Sequence, residues 1–252
     1  MNFDVAADAY ERFMGRYSRG LSPQMADLAG VTRGQRALDV GCGPGILTEE
    51  LVARLGAEAV VAVDPSESFV GAARERLPDV EVHRAAAEDL PLEDGRFDAA
   101  LAQLVVHFMS DPVRGIGEMR RVTSPGGVVA ACVWDLAGGQ APLSAFWTAA
   151  RELDPGVEDE SQMPGAREGH LVELFEAAGL SDVQPATLTV SLEHASFDDW
   201  WDPYTGGVGP AGGYVARLDE EHRVALRERC RALLPDAPFT LTSRAWAARG
   251  TA

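Results

Sequence analysis

Arg36-Ala37-Leu38-Asp39-Val40 runs without a break into Gly41-Cys42-Gly43-Pro44-Gly45, and an amphipathic stretch begins at Ile46. The first five residues read as a buried strand, the next five as a tight loop, and 46–55 as a helix closed by Gly56. Glycines in such a loop permit positive φ and let a ligand approach the main chain where a Cβ would collide. The helix start adds unpaired N–H groups. Asp64 lies nineteen residues beyond Gly45, directly after a second apolar run, Ala59-Val60-Val61-Ala62-Val63. A carboxylate in that place can accept hydrogen bonds from ribose hydroxyls. Loop and acid together predict a site for an adenosine-containing ligand, against the plainer reading in which the glycines only turn the chain and Asp64 only caps a helix.

Outward from this segment the chain alternates. Strands are expected at 36–40, 59–63, 80–84, 98–104 and 127–134, with helices at 46–55, 67–76 and 112–122. Runs apolar on both faces suit a parallel sheet covered by helices on each side, so the expected class is α/β, doubly wound and mostly parallel. Two helices are expected in the first thirty residues, on a pattern through Phe3, Tyr10, Phe13 and Met14, with Ser22-Pro23 opening the second and Gly30 stopping it. Residues 1–35 thus form an N-terminal helical cover and 36–252 the main domain. Insertions near the C-terminal strands are expected at about 135–167, rich in Gly, Pro and acids, and at 193–236. Between them come a helix at 168–178 and a strand at 184–192; a polar helix at about 219–233 and a last strand at 238–247 follow.

Leu38 to Gly45, reading L-D-V-G-C-G-P-G, resembles the first motif of class I S-adenosylmethionine-dependent methyltransferases, whose sheet is Rossmann-like. Val63-Asp64-Pro65-Ser66, Ala87-Glu88-Asp89-Leu90-Pro91 with Phe97-Asp98, and Glu118-Met119-Arg120-Arg121-Val122 before Pro125-Gly126-Gly127 are similar to other parts of that family. The similarity is greatest to its quinone-biosynthesis and natural-product subgroup, which the stretch Phe13 to Ser18 also resembles. The resemblance implies S-adenosylmethionine as cofactor and a small-molecule acceptor. It implies the methionine moiety over Gly41, Cys42, Gly43 and Gly45 beside Asp39, the ribose on Asp64 and the adenine beside Pro65. Relatives commonly read G-D-A-E after the third strand; here Ala86 replaces the acid. The main chain of Ala87, with Glu88 as substitute acceptor, is expected at the adenine instead. Gln103 and Leu104 match positions whose main chain faces the methionine part.

Other candidates follow from their chemistry. Arg16, a guanidinium suited to a carboxylate, and Tyr17 are placed over the cofactor carboxylate, the alternative being a surface Arg beside a packed Tyr. His107, after the fourth strand, is the candidate general base, against a packed structural histidine. All five tryptophans lie at or after residue 134. Trp134, Trp200 and Trp201 are candidate acceptor contacts, the last two on a lid, with core anchoring as the other reading. Cys42 occupies a position that needs a small side chain and receives no catalytic role.

Composition bounds the rest. The chain has 252 residues, a formal net charge of −17 and no Lys. Such a charge opposes a phosphate backbone or an anionic membrane surface, so neither nucleic acid nor membrane is expected as partner. No window approaches the ~20 apolar residues that span a bilayer, and a cytoplasmic location is expected. Cys42, Cys132 and Cys230 lack metal or disulfide spacing and the five His do not cluster, so no metal is expected. Two alternatives stay open: a non-catalytic nucleoside-binding scaffold, and an NAD-dependent oxidoreductase. The G-x-G-x-G spacing, with Ile46 where the dinucleotide fingerprint has its third glycine, disfavours the latter. The acceptor atom and the oligomeric state are not legible.

Overall fold

A computed structural model describes residues 7–252; Phe3, part of the expected helical pattern, lies outside them. The chain opens with α1 (Ala7–Tyr10), a π-helical turn at Glu11–Gly15 and α2 (Arg16–Leu28). Next come β1 (Ala37–Val40), α3 (Ile46–Leu55), β2 (Val60–Asp64), α4 (Glu67–Arg76), β3 (Glu81–Arg84), β4 (Phe97–Gln103), α5 (Pro112–Val122) and β5 (Thr123–Trp134). The remainder is α6 (Ser144–Leu153), α7 (His170–Ala177), β6 (Ser181–His194), α8 (Phe197–Trp201), α9 (Gly209–Arg217), α10 (Glu220–Leu233) and β7 (Phe239–Thr251).

Seven strands form one sheet in the order β3-β2-β1-β4-β5-β7-β6. Parallel pairing holds from β3 to β5, and β7 runs antiparallel to both β5 and β6. This is the expected α/β, doubly wound, mostly parallel sheet. Every residue of β1 and β2 is buried, because helices cover both faces. Ala37 in β1 packs with Leu21 and Met25 of α2 and Leu47 and Leu51 of α3. Leu38 and Val40 face the opposite way, onto Ile116 and Met119 of α5 and Leu171 and Phe175 of α7. Each fully buried Leu or Ile here contributes roughly 1.5–3 kcal/mol of transfer free energy.

The N-terminal segment departs from its expectation. Helix α2 does not begin at Ser22-Pro23 but runs through it, with Pro23 exposed inside the helix and the Ser22 hydroxyl donating to the Ser18 carbonyl, 2.9 Å away. Proline in a helix interior costs about 3 kcal/mol. Burial of Leu21, Met25 and Ala26 on the sheet offsets it. Gly20 sits where a Cβ would be 2.9 Å from Val190 of β6, so this helix lies close on the sheet and belongs to the same core.

The two segments expected as insertions converge on one further cluster. Phe146, Trp147 and Ala150 of α6 pack with Phe197, Trp200, Trp201, Tyr204, Leu226 and Cys230. Helix α6 itself was not expected, although Leu143, Phe146, Trp147 and Ala150 follow helical spacing. Together these elements form a cap, and α2, α8 and the π-helical turn join it to the sheet.

Candidate functional site

The strand order reverses between β1 and β4, and the loops after these two strands border a crevice at their C-terminal ends, the place where open α/β sheets bind ligands. The first loop turns at Gly41, Gly43 and Gly45, with φ of 71°, 54° and 93°. A Cβ on Gly41 would stand 2.4 Å from a Val105 methyl, so that position has no room for any side chain. Asp64, 6% exposed, pins the loop from β2: its Oδ2 accepts from the Gly43 N–H at 2.9 Å and its Oδ1 from the Ser66 N–H at 2.8 Å. Burial raises its carboxyl above the ordinary aspartate range, while the two N–H donors pull it back.

Asp39, at 0% exposure, accepts from Thr48 Oγ1 at 2.6 Å through Oδ2, while its Oδ1 has no hydrogen-bond partner among the described residues. Desolvation pushes its pKa up to about 7. Gln103 donates through Nε2 to the Ser18 carbonyl at 3.2 Å, and its Oε1 is likewise buried without a partner. A buried acceptor left unpaired costs roughly 1–3 kcal/mol. Cys42 is buried, its thiol pushed well above the ordinary range by desolvation and held 3.4 Å from the Gly43 carbonyl, so it is inert.

Gly41, Gly43, Asp64, Pro65, Gln103 and Leu104 line a chamber with Tyr10, Phe69 and Phe108 as aromatic walls. Tyr10 and Phe69 meet edge to face at 5.4 Å. A second, smaller chamber lies under the cap and is walled by Phe13, His107, Trp134, Leu136, Leu143 and Glu160 among others. Tyr10, Leu104 and Phe108 line both, so the two spaces share one wall. Leu104 takes the left-handed region at φ 61°, a conformation that costs a non-glycine residue about 1–3 kcal/mol and recurs at functional sites.

In the second chamber, His107 is 5% exposed, with Nδ1 unpartnered and its ring 3.8 Å from that of Phe108. Burial alone lowers its pKa to about 3, so it stays neutral at physiological pH. A neutral imidazole of this kind is a hydrogen-bonding group and a weak proton acceptor, which limits it as the general base expected from sequence. Trp134 is 2% exposed with Nε1 unpartnered. Glu160, which sequence reading passed over, is 3% exposed, and its Oε2 accepts from Trp147 Nε1 at 2.9 Å. Desolvation raises its pKa to about 7.

Several expected residues stand elsewhere. Arg16 forks onto Asp199 at 3.0 and 3.1 Å, and Tyr17 shares a hydrogen bond with His194 Nε2 at 3.0 Å. Arg16 thus joins α2 to α8 and Tyr17 joins it to the end of β6, and neither lines the cofactor-side chamber. An acidic partner closer at hand claims the guanidinium. Glu88 Oε1 accepts from the Ser110 N–H and hydroxyl and from the Asp111 N–H, which ties it to the start of α5. Ala86 is exposed and Ala87 packs into the α5-side core; none of the three lines the chamber. Trp200 and Trp201 are on helix α8, each 3% exposed, against Phe197 and Tyr204: they anchor the cap core and do not line the acceptor-side chamber. Aromatic spacing in a Gly-rich segment cannot distinguish an inward helix from a lid. Among the described residues no helix is long and apolar enough to cross a membrane, and no cluster of three or more His, Cys, Asp or Glu could hold a metal ion.

Comparison with known proteins agrees with this geometry. Residues 38–131 match the family described as "Methyltransferase domain". An uncharacterised methyltransferase of Mycobacterium tuberculosis is 39% identical over 127 residues, covering 50% of this chain and 49% of the relative. A demethylmenaquinone methyltransferase of Renibacterium salmoninarum is 34% identical over 125 residues, covering 50% and 51%. The chain therefore spans about half the length of these curated relatives. In fold it resembles a Haemonchus contortus phospholethanolamine N-methyltransferase 2 solved with phosphomonomethylethanolamine and S-adenosylhomocysteine, with a TM-score of 0.60, 16% identity and coverage of 99% of this chain and 57% of that one. The glycine loop, β2 acid and strand-end crevice lie inside or beside the segment, residues 38–131, that matches this family, and the likeness to the solved structure is one of fold.

Proposed function

We propose that this chain transfers a methyl group from S-adenosylmethionine to a small apolar acceptor held in the cap chamber. The observation that carries the reading is the shared wall: a chamber built on the glycine loop and Asp64 adjoins an aromatic chamber across Tyr10, Leu104 and Phe108. The residues present fit the cofactor. Asp64 would hold the ribose hydroxyls, the Gly41–Gly45 main chain would cradle the methionine part, and the unpartnered Asp39 Oδ1 and Gln103 Oε1 are acceptors suited to its ammonium group. Bound there, S-adenosylmethionine supplies an electrophilic methyl group.

The chain's own residues then position, shield and polarise. The cap keeps water from the apolar chamber, and in-line displacement depends on such alignment and exclusion. Neutral His107 orients the acceptor through a ring nitrogen and does not store a proton. A small-molecule acceptor, in place of a nucleic acid, fits the absence of Lys and the net charge of −17.

Calorimetric titration with S-adenosylmethionine, S-adenosylhomocysteine and NAD tests the cofactor class. Selective binding of the two adenosyl compounds is expected, and Asp64→Ala should weaken it about tenfold or more with the fold intact. Preference for NAD would overturn the reading, and unchanged affinity in Asp64→Ala would remove that residue from the site.

A further inference from the structure

Arg76 is the last residue of α4, and its guanidinium reaches two segments at the cofactor-side chamber: the glycine loop and the turn that follows Tyr10. Nη1 donates to the Pro44 carbonyl at 2.8 Å, and Nη2 pairs with the Glu11 carboxylate. On the same face of α4, seven residues earlier, Phe69 meets Tyr10 edge to face. Glu11 also lies 3.8 Å from Arg19, which pairs with Glu49 of α3. The turn is thus tied to the helices on either side of the loop.

Both segments depend on such ties. Gly45 has φ 93° and no Cβ, so little that is local fixes how the Pro44–Gly45 peptide lies. Its N–H donates to the Cys42 carbonyl at 3.0 Å and its carbonyl accepts from Arg76, so both ends of that peptide are held. The Glu11 pair and the Tyr10–Phe69 contact set where the Tyr10 ring stands, and that ring lines both chambers. A planar guanidinium serves a carbonyl and a carboxylate at once in fixed geometry, which an ammonium does not. Arg76 lines neither chamber and acts through Pro44 and Glu11. Its side chain and that of Glu11 are 28% and 29% exposed, so the pair adds little to global stability and its effect falls on the site. Resting on the reading of the glycine loop as the cofactor cradle, we propose that Arg76 is a positioning residue whose one guanidinium sets the Pro44 peptide and the Tyr10 wall against each other. Cradle and wall then receive the cofactor as one preformed unit.

The test compares Arg76→Gln, Arg76→Lys and Glu11→Gln in the full chain, by amide hydrogen exchange of the free protein and by calorimetric titration with S-adenosylhomocysteine. In Arg76→Gln, exchange should rise about tenfold in residues 8–15 and 43–48 with the other elements unchanged, and affinity should fall about tenfold. Glu11→Gln keeps the Pro44 bond, so only residues 8–15 should loosen, with affinity down about threefold. Arg76→Lys should recover residues 8–15 but not 43–48, because a point charge follows the carboxylate and gives up the fork. Unchanged exchange at residues 43–48 in Arg76→Gln, loosening spread over the whole sheet, or wild-type affinity in that variant would overturn the proposal. If Arg76→Gln fails to fold, the patterns of Glu11→Gln and Arg76→Lys decide. Failure of the wild type to bind S-adenosylhomocysteine would sink the cofactor reading, and the exchange pattern alone then decides whether Arg76 joins loop to wall.

Discussion

The chamber beside the glycine loop is held by main chain, whereas the chamber under the cap is walled by side chains. In the first, the Asp64 carboxylate fixes the Gly43 and Ser66 N–H groups, and positive φ at three glycines sets the shape. In the second, rings from the π-helical turn, β5 and the segment after β4 meet Glu160 and residues around the start of α9. A main-chain site needs a few residue types at fixed spacing, and it tolerates little else. A side-chain site depends on which distant elements happen to meet, and its chemistry can change one residue at a time.

Substitution can break that division or sharpen it. The largest effect is expected from Phe146→Ala. Phe146 is fully buried, stacked on Tyr204 at 4.7 Å, and its loss should cost about 3–5 kcal/mol and lower Tm by roughly 10 °C. If the two chambers are built independently, S-adenosylhomocysteine affinity stays within about twofold in calorimetry; a tenfold loss would join them into one unit.

An intermediate effect concerns Asp39. Its folded pKa is raised to about 7, so between about pH 4 and pH 7 the folded protein holds a proton that the unfolded chain has released. That contribution to stability is full below pH 4 and is lost as pH rises through 7. Asp39→Asn imitates the protonated form, so thermal melts should show wild type falling behind the variant by on the order of 1 kcal/mol across this window. A difference that stays flat with pH would mean the carboxyl is ordinary.

The smallest effect is expected from Arg16→Ala. Its ion pair with Asp199 is partly exposed and should contribute about 1 kcal/mol or less, with cofactor affinity unaltered. A tenfold loss of S-adenosylhomocysteine affinity would restore Arg16 to the cofactor side and undo the separation drawn above.

The same division explains what could be read in advance. The strand from Ala37 to Val40, its loop, α3, α4 and α5 were legible to within a residue, because apolar periodicity, Gly stops and Ser66 or Asp111 caps are local signals. Gly41, Gly43 and Asp64 were legible for the same reason. Glu160 gave no signal, since one acid in an acidic, Gly-rich stretch looks solvated until α6 and its Trp147 are known to fold over it. Lid and core anchor could not be told apart for Trp200 and Trp201, because short α8 owes its inward face in part to Phe146, more than fifty residues away in sequence. Pro23 misled because tertiary burial on either side outweighs a local helix breaker.

The wall of Tyr10, Leu104 and Phe108 has two faces, and a boundary of that kind cannot be private to either occupant. Leu104 keeps its φ of 61° through packing and the bond its N–H donates to the Cys132 carbonyl, so a guest that presses on one side of it changes the energy of the other. Linkage then imposes reciprocity: the factor by which one guest changes the second guest's affinity is returned in equal measure, whichever arrives first. Order of arrival is thus a matter of rates alone, and the partition between the chambers serves as the medium through which each occupant reports its presence.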